Sequence, residues 1–255
     1  IKIEPLRWYY HCDRLGIIVW QDMVNGGSVY NMPFVCYLPT ALPWIGKKIK
    51  DNLYHMFSRT SEEGRTAWEK ECSDTIEHLY NVPSISTWVP FNEGWGQFDS
   101  DNVYEIFRKL DDTRWIDSTS GWFRRNNTDV DSRHVYFRKV KLSGDGKKPL
   151  VLSEFGGYSM RVDGHSFNLD SEYGYKAIEN SEALTEALGE LYLGEVLPEI
   201  EKNGLCATVL TQVSDVEDEI NGLLTYDRRV VKVEKGRMNE IADKLFEAFE
   251  RVSKN

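Results

Sequence analysis

Two stretches decide the fold: Trp88-Val89-Pro90-Phe91-Asn92-Glu93-Gly94-Trp95-Gly96 and Leu150-Val151-Leu152-Ser153-Glu154-Phe155-Gly156-Gly157. Each is an apolar run of strand length that ends on a glutamate and turns at once into glycine or an aromatic residue. Strands apolar on both faces belong to a parallel sheet covered on both sides. A carboxylate at the C-terminal end of such a strand faces the mouth of an α/β barrel, where active sites sit. Glycine just after it lets backbone or ligand approach closely.

The alternation continues outward. Residues 16–20, 84–89, 114–117, 133–136, 149–152 and 206–210 read as six strand segments, those of the two quoted stretches among them, rich in β-branched and aromatic side chains. Helical spacing lies between them. Trp68, Cys72, Ile76 and Leu79 share one face, and Asn81 is placed to end that helix. Asp99-Ser100 reads as a cap for a stripe of Val103, Ile106, Phe107 and Leu110. Leu184, Leu188 and Leu191 form another stripe, and Ile241, Leu245, Ala248, Phe249 and Val252 the last. One connection is long. Residues 23–61 mix Pro33, Pro39, Pro43, Gly26, Gly27 and Gly46 with Trp44 and several Tyr and Phe. A segment of that length is either functional or a surface insertion packed by its own aromatics, and both readings stay open.

Composition removes several classes. The 255 residues carry 31 basic and 41 acidic side chains, a net charge of −10, which argues against nucleic acid or anionic lipid as a partner. Apolar runs such as 16–20 fall far short of the ~20 residues that cross a bilayer, so no membrane partner is expected. At 41% hydrophobic the chain is too apolar for disorder. The aromatic share of 13% fits ligands with flat apolar faces, sugars among them, as well as large core fillers. Cys12, Cys36, Cys72 and Cys206 show no metal-ligand spacing and read as reduced and mostly buried, with no metal and no cofactor expected. Ile1-Lys2-Ile3-Glu4-Pro5 has no charged segment leading into an apolar one. That favours a cytoplasmic location, while the missing initiator Met reads as a piece of a longer chain.

Glycoside hydrolysis needs two carboxylates, one on each side of the scissile bond. One must stay protonated near neutral pH, which an apolar or like-charged environment achieves. Either glutamate alone also suits a helix start or a salt bridge; the pair on two strand ends is the stronger signal. Asn92-Glu93-Gly94-Trp95, with the strand before it, resembles the acid/base motif of family-two glycoside hydrolases, the group of β-galactosidases, β-glucuronidases and β-mannosidases. Ser153-Glu154-Phe155-Gly156-Gly157 resembles that family's nucleophile motif. Residues 215–227 are similar to the end of the same barrel in bacterial β-galactosidase-like members, and residues 11–22 to its helix and third strand. The likeness runs from residue 1 to about residue 235.

The resemblance implies an α/β fold, a (β/α)8 TIM barrel, forming a single domain over residues 1–255. The family's first two barrel strands and its β-sandwich domains have no counterpart, so about six of eight strands are expected, and the chain alone is expected to be inactive. The resemblance also implies a retaining mechanism with Glu93 as general acid/base and Glu154 as nucleophile. Asn92 is placed to bond the sugar 2-hydroxyl. Tyr136 and His134 end a strand beside Glu154; a tyrosine hydroxyl there holds the nucleophile charged, or the ring is a wall residue. His134 contacts substrate or a neighbouring carbonyl. Trp95 and Trp122 are sugar platforms or core residues. Asp22, Gln212 and Asp215 are candidate substrate contacts from their strand-end positions. No Asn-x-Lys tripeptide of the kind β-glucuronidases use for the sugar carboxylate is present, so the expected partner is an oligosaccharide or β-glycoside, β-galactoside-like. The rival reading is a carbohydrate-binding barrel without turnover. Strands 16–20 and 206–210 would lack one neighbour each, and such edges template self-association unless residues 23–61 or the C-terminal tail cover them.

Overall fold

The structure, a computed structural model, describes residues 1–42, 44–168, 170–171 and 173–254. The chain divides into two compact units, Ile1–Ser132 and Arg133–Asn255, each with its own apolar core.

The first unit opens with α1 (Leu6–Leu15). Gly16 ends it in a left-handed cap at φ 69°, and the Ile17 N–H returns to the Cys12 carbonyl at 3.0 Å. That motif satisfies the last carbonyls of the helix and consumes residues 16–18. The first strand therefore begins later than its apolar run suggests: β1 is Val19–Asp22, and Ile17 and Ile18 are exposed. The long connection holds a π-helical turn (Pro33–Tyr37), α2 (Leu38–Ala41) and a 3-10 turn (Gly46–Lys48). It leads to α3 (Glu62–Leu79), capped by Ser61, with Trp68, Cys72, Ile76 and Leu79 all buried. Pro43, one of its prolines, lies outside the described residues.

β2 (Ile85–Val89) pairs in parallel with β1, Asp22 opposite Val89, and on its other side with β4 (Trp115–Ile116). β3 (Phe91–Asn92) and β5 (Thr119–Ser120) lie just beyond β2 and β4 in the chain and pair again in parallel. Between them, α4 (Ser100–Leu110) buries Val103 and Phe107. Asp99 takes its N-cap position, but the Asp99 side chain does not cap; it accepts the Tyr54 hydroxyl at 2.6 Å. The capping carboxylate is Asp51, from the long connection. Its Oδ2 accepts the Ser100 N–H at 3.2 Å, the Ser100 hydroxyl and Gln97 Nε2 at 3.0 Å, with Arg125 Nε at 3.3 Å. A carboxylate is favoured at a helix start wherever in the sequence it comes from.

β6 (Asp131–Val135) straddles the boundary between the units. β7 (Leu150–Gly156) lies between β6 and β10 (Leu205–Thr211), and β10 pairs with β7 in parallel, Thr211 opposite Gly156. β8 (Tyr158–Ser159) and β9 (Lys176–Ala177) form a short parallel pair. α5 (Ser181–Glu190), capped by Asn180, runs through a π-helical segment (Leu191–Val196) into α6 (Leu197–Asn203). α7 (Lys235–Ser253) closes the chain, burying Ile241 and Ala248 while Phe249 and Val252 remain exposed.

Strands in parallel pairing, with helices between most of them, are the order of a (β/α)8 barrel, here with a partial set of strands. Among the described residues six passes of the chain carry the sheets, because β2–β3, β4–β5 and β7–β8 are each one pass, and β9 is a short addition. β1 and β10 are each the outer strand of their sheet. No helix of the described residues is long and apolar enough to cross a membrane. All four cysteines are free. Cys12 and Cys72 are buried, whereas Cys36 is half-buried and Cys206 exposed on the outer strand β10, so expected burial holds for only two.

Two carboxylates, Asp111 buried and Asp51 half-buried, should set the acid sensitivity of the first unit. Burial acts to raise Asp51, but hydrogen bonds from Gln97 and Ser100 and the charge of Arg125 outweigh it. At Asp111 burial is likewise outweighed, by Thr113, Trp88 and Arg114, and the carboxyl lies well below the usual range. A carboxyl lowered by folding contributes its full stabilisation above the unfolded value of about 4 and loses it as pH falls below that. The urea midpoint is expected to hold from pH 7 to pH 5 and to fall below pH 4, and Asp51→Asn with Asp111→Asn should flatten that fall. Asp111→Ala, which strands the Arg114 guanidinium and the Trp88 N–H, should cost about 3–5 kcal/mol at pH 7. An unchanged midpoint at pH 3 would contradict this account.

Candidate active site

In the first unit, parallel pairing sets Phe91 opposite Thr119 and Asn92 opposite Ser120. Glu93 follows directly, and its N–H donates to the Ser120 carbonyl at 2.9 Å. Glu93 has φ 52° and Gly94 φ 81°. A non-glycine residue in the left-handed region costs roughly 1–2 kcal/mol, held here by the strand pairing before it and the glycine after it. The chain turns out of the strand within two residues and leaves Asn92 and Glu93 5% and 8% exposed at its end. A Cβ on Gly94 would lie 2.4 Å from the Phe123 ring, so the turn also needs glycine for space.

The long connection builds the layer around this turn. Phe34, Phe57 and Phe123 pack against one another with centroids 5.0–5.5 Å apart. Tyr30 sets its ring against Trp95 at 4.9 Å, and Arg59 Nε donates to the Gly96 carbonyl at 2.8 Å. The Asn92 N–H donates to Asn25 Oδ1 at 3.4 Å. Cys36 is near enough to Glu93 that, after burial, its carboxylate adds to the upward shift of the thiol. Residues 23–61 thus pack their aromatics onto the turn at Glu93. Trp95 and Trp122 are half-buried, and Asp22 ends β1 half-buried.

In the second unit, Glu154 lies near the end of β7 with its side chain 26% exposed. The Tyr136 hydroxyl, just past β6, donates to Glu154 Oε2 and lies 3.0 Å from Thr211 Oγ1 at the end of β10. His134 Nδ1 is 3.4 Å from the same carboxylate oxygen, its ring buried. Donors on a carboxylate oxygen favour its charged form. Gly157, at φ 68°, donates its N–H to the Thr211 carbonyl at 3.0 Å. A Cβ there would fall 2.1 Å from the Tyr175 ring, which stacks on Tyr136 at 4.2 Å and 15°. The glycine leaves room for the ring that backs Tyr136.

Gln212 and Asp215 have partners of their own. Gln212 Nε2 donates to Glu219 Oε2 at 2.9 Å and Asn221 Oδ1 at 2.6 Å. Asp215 is 4% exposed, and its Oδ1 accepts Lys232 Nζ at 2.7 Å and the Gly222 N–H at 2.8 Å. Burial raises Asp215 and lowers Lys232, against the pull of each on the other. With Oδ1 taken twice from inside the fold, Asp215 braces its loop. Sequence reasoning thus finds the groups gathered at each strand end: Asn92, Glu93 and Trp95 in one unit, and His134, Tyr136 and Glu154 in the other. It misses Cys36, Thr211 and Tyr175. Thr211 stands one residue beyond the run read as a strand; a lone tyrosine or cysteine in a connection carries no signal.

Comparison of the sequence with curated proteins gives no match. Among solved structures, a β-glucuronidase from an uncultured Clostridium sp. is 14% identical with a TM-score of 0.54, covering 98% of this chain and 42% of that one. A β-glucuronidase from Bacteroides uniformis is 16% identical with a TM-score of 0.54, covering 89% of this chain and 29% of that one. A β-galacturonidase from Eisenbergiella tayi, bound to galacturonate, is 17% identical with a TM-score of 0.50, covering 94% and 42%. At these identities the likeness is one of fold, and this chain spans less than half the length of each. Residues 4–186, well over half of the chain, match the family described as glycosyl hydrolases family 2, TIM barrel domain; the chain belongs to that family.

Proposed function

We propose that this chain is the catalytic barrel, as one domain, of a retaining β-glycosidase, with Glu93 as general acid/base and Glu154 as nucleophile. The observation that carries the reading is the environment of Glu154. In a chain of this family, a glutamate at the end of a parallel strand receives a tyrosine hydroxyl on Oε2 with a buried histidine beside it. A hydroxyl donated to that oxygen favours the charged form and fixes its direction, as a nucleophile requires.

In the first half of the reaction a Glu154 oxygen bonds to C1 of the sugar while the bond from C1 to the leaving oxygen breaks. Glu93 gives its proton to that oxygen. In the second half Glu93 takes a proton from water, the water oxygen bonds to C1, and the bond to Glu154 breaks, so the configuration at C1 is retained. Asn92, directly before Glu93, is assigned to the sugar 2-hydroxyl, where a hydrogen bond strengthens in the transition state. His134, Trp95 and Asp22 are assigned to the substrate surround, and Gln212 and Asp215 to its supporting frame. The absence of an Asn-x-Lys tripeptide favours a β-galactoside-like sugar over a uronide. The outer strands β1 and β10 are the edges assigned to self-association.

The assignment is tested on the intact protein with a panel of nitrophenyl β-glycosides. Glu154→Gln should abolish turnover. Glu93→Ala should still release nitrophenol, a leaving group that needs no proton, and azide should restore turnover. Proton NMR should show the β-anomer as the first sugar product. An α-anomer formed first, or azide rescue of Glu154→Ala in place of Glu93→Ala, overturns the mechanism; absence of turnover across the panel favours a binding barrel. Separately, Tyr136→Phe removes one donor from a charged acceptor, worth about 1.5–3 kcal/mol. It should lower kcat by roughly 10- to 150-fold with folding retained by circular dichroism, and an unchanged kcat would remove Tyr136 from the site.

A further inference from the structure

The aromatic packing behind Tyr136 does not stop at Tyr175. Phe137 sets its ring against Tyr175 at 4.6 Å and 78°, and Tyr173 does so at 5.5 Å and 71°. Both outer rings face solvent: Phe137 is 64% exposed and Tyr173 47%. Tyr173 and Tyr175 stand on hydrogen-bonded backbone. The Tyr175 N–H donates to the Gly157 carbonyl at 2.9 Å, the Tyr173 N–H to the Asp218 carbonyl at 2.7 Å, and the Tyr173 carbonyl accepts the Ile220 N–H at 3.1 Å. Single exposed aromatics are ordinary; a contiguous set, partly on hydrogen-bonded backbone and linked to a site, marks binding. The set leads outward from the carboxylate, from Tyr136 on Glu154 to Tyr175 and then to Phe137 and Tyr173. Two exposed rings are far less than a protein partner buries.

We propose that Phe137 and Tyr173 form a stacking subsite for the ring next to the reacting sugar, an aryl group or a second pyranose presenting an apolar face. The proposal rests on the catalytic reading of Glu154 for its geometry. The reacting sugar has C1 at Glu154 and occupies the space beside the Tyr136 hydroxyl, so the outer rings are left for the group joined to it. Phe137 carries no polar side-chain atom and contributes by its face alone.

The test reads equilibrium binding to the intact protein carrying Glu154→Gln, so it needs no turnover. The probes are methyl β-glycosides, phenyl β-glycosides and β-linked disaccharides of galactose, glucose, mannose and glucuronate, measured by titration calorimetry. For the sugar that binds, a ring-bearing probe should bind about three- to tenfold more tightly than the methyl glycoside. Phe137→Ala and Tyr173→Ala should each remove most of that preference, and Phe137→Ala should change methyl glycoside affinity less than twofold. Phe137→Leu keeps the apolar bulk without a ring face and should lose the preference equally, which covers misfolding of the alanine variant. The phenyl and disaccharide arms separate an aryl-accepting subsite from a sugar-accepting one. A preference unchanged in both variants, or equal losses for methyl and ring-bearing probes, overturns the subsite. Absence of hydrolysis by the unsubstituted protein, with the preference intact and lost in the variants, sinks the catalytic reading and leaves the subsite standing.

Discussion

One kind of backbone hydrogen bond sets both carboxylates in place. As each glutamate-bearing strand ends, a turn residue donates its N–H to the last carbonyl of the neighbouring parallel strand: Glu93 to Ser120 at 2.9 Å, Gly157 to Thr211 at 3.0 Å. Leaving a buried N–H unpaired costs about 1–3 kcal/mol, the same order as the left-handed conformation forced on Glu93. The pairing therefore offsets the strain of a turn that opens within two residues of the strand. A looser exit would carry the side chain away from the strand end, where a site on this fold is built.

The two strand ends are then supported by different materials. Around Glu93 the support is aromatic and remote in sequence: Phe34 and Phe57 from the long connection pack on Phe123, and Arg59 holds the Gly96 carbonyl. The same connection lends Asp51 to the start of α4. Around Glu154 the support is polar and comes from neighbouring strand ends, Tyr136 and His134 beside β7 and Thr211 from β10. Fixing donors on a rigid sheet aims a carboxylate better than a loop does, since the positions of strand ends are set by many ladder hydrogen bonds.

Strand positions were legible because the run at 149–152 is apolar on both faces, as a covered parallel sheet requires, and the run at 84–89 is rich in β-branched and aromatic residues. The glutamates were legible because each is followed by residues that permit a turn. Legibility failed where two elements compete for one residue or where a partner is distant. Gly16 looked like the start of a strand, but a helix that ends there needs a left-handed residue and takes it. Asp99 looked like a cap, yet Tyr54 claims its carboxylate and Asp51 does the capping. The role of residues 23–61 stayed open for the same reason: what a connection packs against is not encoded in its own composition.

The buried pair of Lys232 and Asp215 belongs to this architecture. Lys232 Nζ donates to Asp215 at 2.7 Å and also to the carbonyls of Ile220 and Met160, at 2.9 and 2.8 Å. Breaking such a pair leaves a charge uncompensated, at about 3–5 kcal/mol, so the backbone around Ile220 is held firmly. The Ile220 N–H in turn holds the Tyr173 carbonyl, and Tyr173 borders Tyr175, which stacks on Tyr136 and so backs the hydroxyl donated to Glu154. A strand-end aspartate read from sequence as a substrate contact thus lies at the far end of a chain of contacts that reaches Glu154. Its effect there runs through the placement of aromatic rings, and the firmness of that placement is what a stacking surface beside the carboxylate requires.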